Sequence, residues 1–150
     1  MWVSGVPEVL QRGDKDCGPA AMSAVLAYWG RAVTPTQIRA SLGHPADERV
    51  RAGELTSYAK SVGFDAYAFN GGVPDVASEL RQGRPVIVGV AKRYGQSALA
   101  HYEVVIGIHA GSQQIMTLDP ANGWRKNSLS GFMSEWEPTG RVTIVVFPAS

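Results

Sequence analysis

Cysteine is nearly absent: Cys17 is the single one among 150 residues. That excludes an internal disulfide and any CxxC zinc or redox motif. Long apolar runs are also absent, and no stretch nears the roughly 20 residues of a membrane-spanning helix. The opening MWVSGVPEVL has no basic start and no long apolar centre, so no signal peptide is read there. Charge of one sign does not accumulate, with 14 Lys and Arg against 13 Asp and Glu, a net of +1. Binding to nucleic acid or to a membrane surface through charge is therefore not expected. Neither a low-complexity segment nor a domain linker interrupts the chain. What is present is a hydrophobic content of 45%, suited to a globular chain, and a length suited to a single domain over 1–150.

The first half carries helical signals. PAAMSAVLAYWG (19–30) is apolar all round and stops at a glycine, which predicts a buried helix starting at or just after Cys17. TPTQIRASLG (34–43) predicts a second helix, capped by Thr34 or Thr36 and started by Pro35. AGELTSYAKSVG (52–63) and VPDVASELRQG (73–83) predict two more, each closed by glycine. The period then changes. RPVIVGVAK (84–92), HYEVVIGIH (101–109), QQIMTLD (113–119) and RVTIVVFP (141–148) read as strands. Helices first and strands afterwards predict an α+β fold with a mainly antiparallel sheet built from the C-terminal half. GVPEV at 5 and GVPDV at 72 form a near-repeat too short to mean duplication.

The cysteine sits in QRGDKDCGPAAM (11–22). A thiol attacks acyl carbon as thiolate, and its pKa of about 8.5 must be lowered by a helix N-terminus or a nearby imidazolium. Cys17 falls at the predicted start of the first helix, where unpaired N–H groups and the helix dipole favour an anion. Pro19 is tolerated in a first turn, and Gly18 leaves the backbone open to a substrate. Taken alone, Cys17 reads as well as a small buried hydrophobe.

A base must come from one of three histidines. His44 in GHPAD reads as a solvated turn residue and His109 as a polar strand end. His101 opens a strand behind the small-residue loop YGQSALA, a candidate cleft wall. Asp119, in TLDPANG, ends the following strand and could orient His101, or simply start a turn. Register decides between these. If AGS is a three-residue loop, His109 pairs with Gln113 and residue numbers across the ladder sum to 222. His101, Glu103 and Asp119 then share one sheet face. A two-residue loop gives 223 and puts Asp119 on the other face. Gln11, six residues before Cys17, could donate its amide to an oxyanion beside the Cys17 N–H, or be merely exposed.

Together QRGDKDCGPAA, HYEVVIGI and DPANG resemble the C39 peptidase family of bacteriocin-processing cysteine proteases, which have a papain-like fold. The resemblance extends over nearly the whole chain, including GRPVIVGV and FMSEW. It implies that Cys17 is the nucleophile, His101 its base and later its acid, Asp119 the residue orienting His101, and Gln11 a wall of the oxyanion hole. It implies a peptide or precursor-protein substrate, a cut after a Gly-Gly leader, and the company of an ABC exporter on the cytoplasmic side. A periplasmic place would follow if a signal segment preceded this chain. No cofactor is called for, although Cys17, His101 and Asp119 are zinc-ligand types.

Glu103 departs from the family pattern, in which an apolar residue is usual at that place. It would raise the pKa of His101, disfavour acidic substrates, or lie along a solvated sheet face. Two other readings compete with the peptidase. One is a non-catalytic C39-like module that holds a peptide; the other is a papain-like amidase or acyltransferase. Substrate choice is expected to lie in the cleft walls, RYGQSALA and the 44–53 loop.

Overall fold

The computed structural model describes residues 1–13, 15–45, 49–94 and 97–150. Helix α1 spans Cys17–Tyr28, and every residue from Cys17 to Leu26 is buried, as its all-round apolar sequence predicts. Helix α2 is Pro35–Ser41; Thr34 is its cap, in a reciprocal box with Gln37, so Thr36 is not. Helices α3 (Ala52–Ser61) and α4 (Val73–Arg81) are followed by Gly63 and Gly83, both at the positive φ that glycine takes without a Cβ penalty.

Among the described residues, six strands form one antiparallel sheet in the order β1-β6-β2-β3-β4-β5. They are β1 (Phe64–Asn70), β2 (Val86–Tyr94), β3 (Ser97–His109), β4 (Gln114–Asp119), β5 (Gly123–Ser128) and β6 (Val142–Pro148). The α+β class is as expected, but the halves are less segregated. Strand β1 lies between α3 and α4, and helix α5 (Leu129–Trp136) lies between β5 and β6. Both edge strands escape the sequence reading for one reason. FDAYAFN and GWRKNS bury little beyond Ala66 and Gly123, so they lack a strong apolar alternation. Helix α5 is only eight residues long with Gly131 inside it, yet it buries Phe132 and Trp136 almost completely. Each such side chain contributes roughly 1.5–3 kcal/mol of burial. The GVPEV and GVPDV segments do not share a structure: the first has no regular structure and the second starts α4.

The core joins Met22, Val25 and Leu26 of α1, Ile38 and Leu55 of α2 and α3, and the central strands through Ile87, Val105 and Ile144. The N-terminal segment is threaded beside β3 beyond the end of its pairing with β2. The Val3 N–H donates to Ile106 O at 2.8 Å, and the Ile108 N–H donates to Met1 O at 3.0 Å. The Trp2 ring lies over Gly107, where a Cβ would come within 2.3 Å of it.

The register of β3 on β4 corrects the expectation and then restores its consequence. Four residues, 110–113, make the turn, and His109 pairs with Gln114 instead of Gln113. Gln113 adopts a left-handed φ of 53°, and the His109 ring accepts hydrogen bonds from the Ser112 N–H and hydroxyl. The ladder sum is therefore 223 at His109, Ile108 and Gly107. A bulge between Val105 and Gly107 then inserts one residue, and the sum becomes 222 at Val105–Thr117 and Val104–Leu118. Beyond the bulge, Asp119 returns to the face of His101 and Glu103.

Candidate active site

Cys17 is the first residue of α1 and is 3% exposed. The helix begins there because the preceding residues are held from outside. Arg39 donates through Nε to Asp16 Oδ1 at 2.9 Å and through Nη2 to Lys15 O at 2.8 Å. Asp16 is thus spent on Arg39 and does not cap α1 with its side chain. Gly18 has a packing reason beyond leaving the backbone open: a Cβ would lie 3.2 Å from Leu55 Cδ1 and 3.3 Å from the Tyr102 ring.

His101 and Asp119 meet across the sheet, with His101 Nε2 2.5 Å from Asp119 Oδ1. On its other side the imidazole neighbours Cys17, and the two groups act on each other electrostatically. Since Nε2 serves Asp119, Nδ1 is the nitrogen left for the thiol. Burial alone pushes the Cys17 thiol up. The hydrogen bond and charge of His101, the Tyr102 N–H and the charge of Arg49 outweigh it and leave the thiol below its ordinary value. Burial likewise pulls the imidazole down, but hydrogen bonds to Asp119 and Cys17 raise it to about 9. The pair therefore favours thiolate and imidazolium together.

Asp119, 1% exposed, is fully engaged. Oδ1 accepts from His101 and from the Ala121 N–H at 2.9 Å; Oδ2 accepts from Lys92 Nζ at 2.6 Å and Asn122 Nδ2 at 3.1 Å. Burial raises its pKa, but the bonds from His101, Lys92 and Ala121 hold it well below the usual carboxylate range.

Glu103 shares the face of His101, as the even register requires. It does not lie along a solvated face, being 1% exposed. It pairs with Lys92, accepts from the Thr117 hydroxyl at 2.7 Å and faces Arg125 Nη1 at 3.4 Å. Lys92 was missed in the sequence, where it looks like the solvated end of a strand. Its signal was its phase: it continues the Val88–Val90 face of β2, which lies opposite Glu103 and His101. His101, Glu103 and Asp119 also form a group with metal-ligand atoms within 4.8 Å of one another. The Lys92 ammonium binds two of the three and supplies the positive charge a metal would bring.

Gln11 is anchored next to this cluster. Its main-chain N–H donates to Pro120 O at 2.7 Å, and its side-chain amide donates to Gly13 O at 2.9 Å. A cleft of about 360 Å³ opens at Cys17, lined by Lys15, Arg49, Arg51, Tyr102 and Val142 among others. The 44–53 loop thus contributes a wall through 49–52, as expected, while 46–48 lie outside the described residues. Of the other expected wall, 95–96 and the side chains of 93–100 lie outside them too. His109 is the polar strand end expected of it. His44 is not a solvated turn residue: it is half-buried and paired with Glu54.

Comparison with known proteins follows this geometry. Residues 3–144 match the model of the Peptidase_C39 like family. The lactococcin-G-processing and transport ATP-binding protein LagD of Lactococcus lactis is 29% identical over 140 residues, which is 93% of this chain and 18% of LagD. The pediocin PA-1 transport/processing ATP-binding protein PedD of Pediococcus acidilactici is 30% identical over 138 residues, again 18% of its length. This chain therefore spans about a fifth of the curated relatives it matches. The peptidase domain of Streptococcus ComA superposes with a TM-score of 0.77 at 24% identity, covering 97% of this chain and 100% of that one. A double glycine motif protease from an AMS/PCAT transporter, solved with its leader peptide, gives 0.75 at 22% identity, covering 99% and 95%. These likenesses establish the papain-like fold. No helix among the described residues is long and apolar enough to cross a membrane.

Proposed function

The chain belongs to the Peptidase_C39 like family, and from that premise we propose that it is a cysteine peptidase with Cys17 as nucleophile. The observation that carries the reading is the His101–Asp119 pair, 2.5 Å from Nε2 to Oδ1, with buried Cys17 at the first position of α1 beside the same imidazole. The Cys17 thiolate attacks the carbonyl carbon of a peptide bond. The oxyanion is held by the Cys17 N–H and by the Gln11 amide, whose second hydrogen remains beyond the one given to Gly13. Protonated His101 passes its Nδ1 proton to the leaving amine, and a thioester remains. Neutral His101 then takes a proton from water, the hydroxide attacks the thioester, and the thiolate departs. Asp119 holds Nε2 throughout.

The substrate class we propose is a precursor peptide cut after a double-glycine leader, with an ABC exporter as partner. LagD and PedD, named for processing and transport, support this. Incubation with synthetic peptides carrying a Gly-Gly leader, read by mass spectrometry, tests it. Cleavage after Gly-Gly that is abolished in Cys17→Ala is expected. Binding of such peptides without cleavage would instead make the chain a holding module. Turnover of non-peptide amides alone would make it an amidase.

A further inference from the structure

Lys92 and Glu103 form a buried ion pair directly behind Asp119, and nothing in the proposed chemistry uses it. Charges alternate from the imidazole of His101 through buried Asp119, Lys92 and Glu103 to the partly exposed Arg125 and Glu135. Each link is an observed contact, ending in the two-pronged pair of Arg125 with Glu135 at 3.0 and 2.8 Å. Burying Lys92 and Glu103 costs several kcal/mol for each ion before their attraction is counted, and an apolar pair of equal volume often does as well for stability. Holding Asp119 in place does not strictly need them either, since Ala121 and Asn122 already bond its two oxygens.

We propose that Lys92 and Glu103 are positioning residues, an internal ion pair that locks the Asp119 carboxylate behind His101 without adding net charge to the site. This rests on the peptidase reading of Cys17 and His101. Lys92 fixes Oδ2, the oxygen that His101 does not use, so Oδ1 stays aimed at Nε2. Lys92 alone would also draw on the negative charge that Asp119 offers to the imidazolium. Glu103 offsets that, because its carboxylate binds the same ammonium. The phase of β2 and the bulge in β3 bring these side chains to one face, where an apolar residue at 103 would leave Lys92 buried with Asp119 alone. The charged and titratable groups around the imidazole are Cys17 on α1, Lys92 on β2, Glu103 on β3, Asp119 on β4 and Arg125 on β5. Arg49, Glu54 and the Tyr102 hydroxyl stand on the Cys17 side.

The test is an NMR pH titration of the His101 ring in the intact chain, with the downfield resonance of its Nε2 proton as second readout. Removing the cation in Lys92→Met should raise the midpoint by about one unit, since the Asp119 charge is no longer offset, and should shift or broaden the downfield resonance as Oδ2 is released. Removing the anion in Glu103→Gln should lower the midpoint, and Lys92→Arg should leave it near the wild type. Midpoints that stay put, or that move the same way in Lys92→Met and Glu103→Gln, overturn the proposal. So does a downfield resonance unchanged in Lys92→Met. Should Lys92→Met fail to fold, Glu103→Gln decides: a lowered midpoint supports the proposal and any other result overturns it. Failure of the peptidase reading is separate, because it shows as a wild-type Cys17 whose alkylation is indifferent to His101.

Discussion

Gln11 and Pro120 are joined by a main-chain hydrogen bond of 2.7 Å, which ties the segment leading to Cys17 to the residue after Asp119. The two parts of the site that lie furthest apart in sequence are therefore tied to each other directly. Gln11→Ala keeps this main-chain bond and removes only the amide. Peptide cleavage should fall on the order of 10²–10³-fold, the usual loss for one oxyanion donor, with the fold unchanged. Assay of kcat beside a thermal melt checks both halves; a rate within a few-fold of the wild type would remove Gln11 from the oxyanion hole.

Arg39 shapes the same lead-in from the other side. It is 7% exposed and bonds Asp16, Lys15 O and Pro45 O. Arg39→Ala should cost about 1.5–3 kcal/mol, the range for hydrogen bonds to charged groups. Arg39→Lys should recover only part of it, because an ammonium cannot reproduce the planar fork. Urea midpoints of the two variants give the comparison.

The N-terminal segment offers a test remote from the chemistry. In Gly107→Ala the new methyl would meet the Trp2 ring at 2.3 and 2.6 Å, so the indole must leave β3. A loss of about 1–3 kcal/mol is expected from such overpacking. Fluorescence should report a more solvated tryptophan, while Cys17 reactivity stays the same.

Stability should follow pH through His101 and Asp119 in opposite senses. His101 is raised in the folded chain to about 9, so its contribution is complete below the ordinary value of roughly 6.5 and is lost as pH rises through 9. The stability gap between wild type and His101→Gln should therefore narrow between about pH 6.5 and 9. Asp119 is depressed, so its contribution is complete above about pH 4 and is lost as acid titrates the folded carboxylate. Urea unfolding at several pH values, wild type against His101→Gln and Asp119→Asn, reads the two slopes.

Much of this site is legible in the sequence because its signals are local. Cys17 stands at a helix start marked by Gly-Pro, His101 leads the apolar run of β3, and Asp119 ends the apolar strand β4. What was not legible is set by long-range geometry. The four-residue turn after His109 gives the register that would have turned Asp119 away, and only the bulge at Ile106 turns it back. A bulge leaves little trace in a run such as VVIGI. Lys92, Arg125 and Asn122 are ordinary polar residues near strand ends, and their roles exist only once four strands and a turn converge on one carboxylate. The edge strands β1 and β5 were lost because edges bury too little to show a period.

The central claim is that His101 activates Cys17, and the rate of iodoacetamide alkylation against pH tests it most directly. In the wild type, rapid reaction should persist as a plateau well below the ordinary thiol value of about 8.5, and His101→Ala should abolish that plateau. A plain thiol titration, the same with and without His101, would contradict the account and leave Cys17 a buried cysteine in a peptide-holding module.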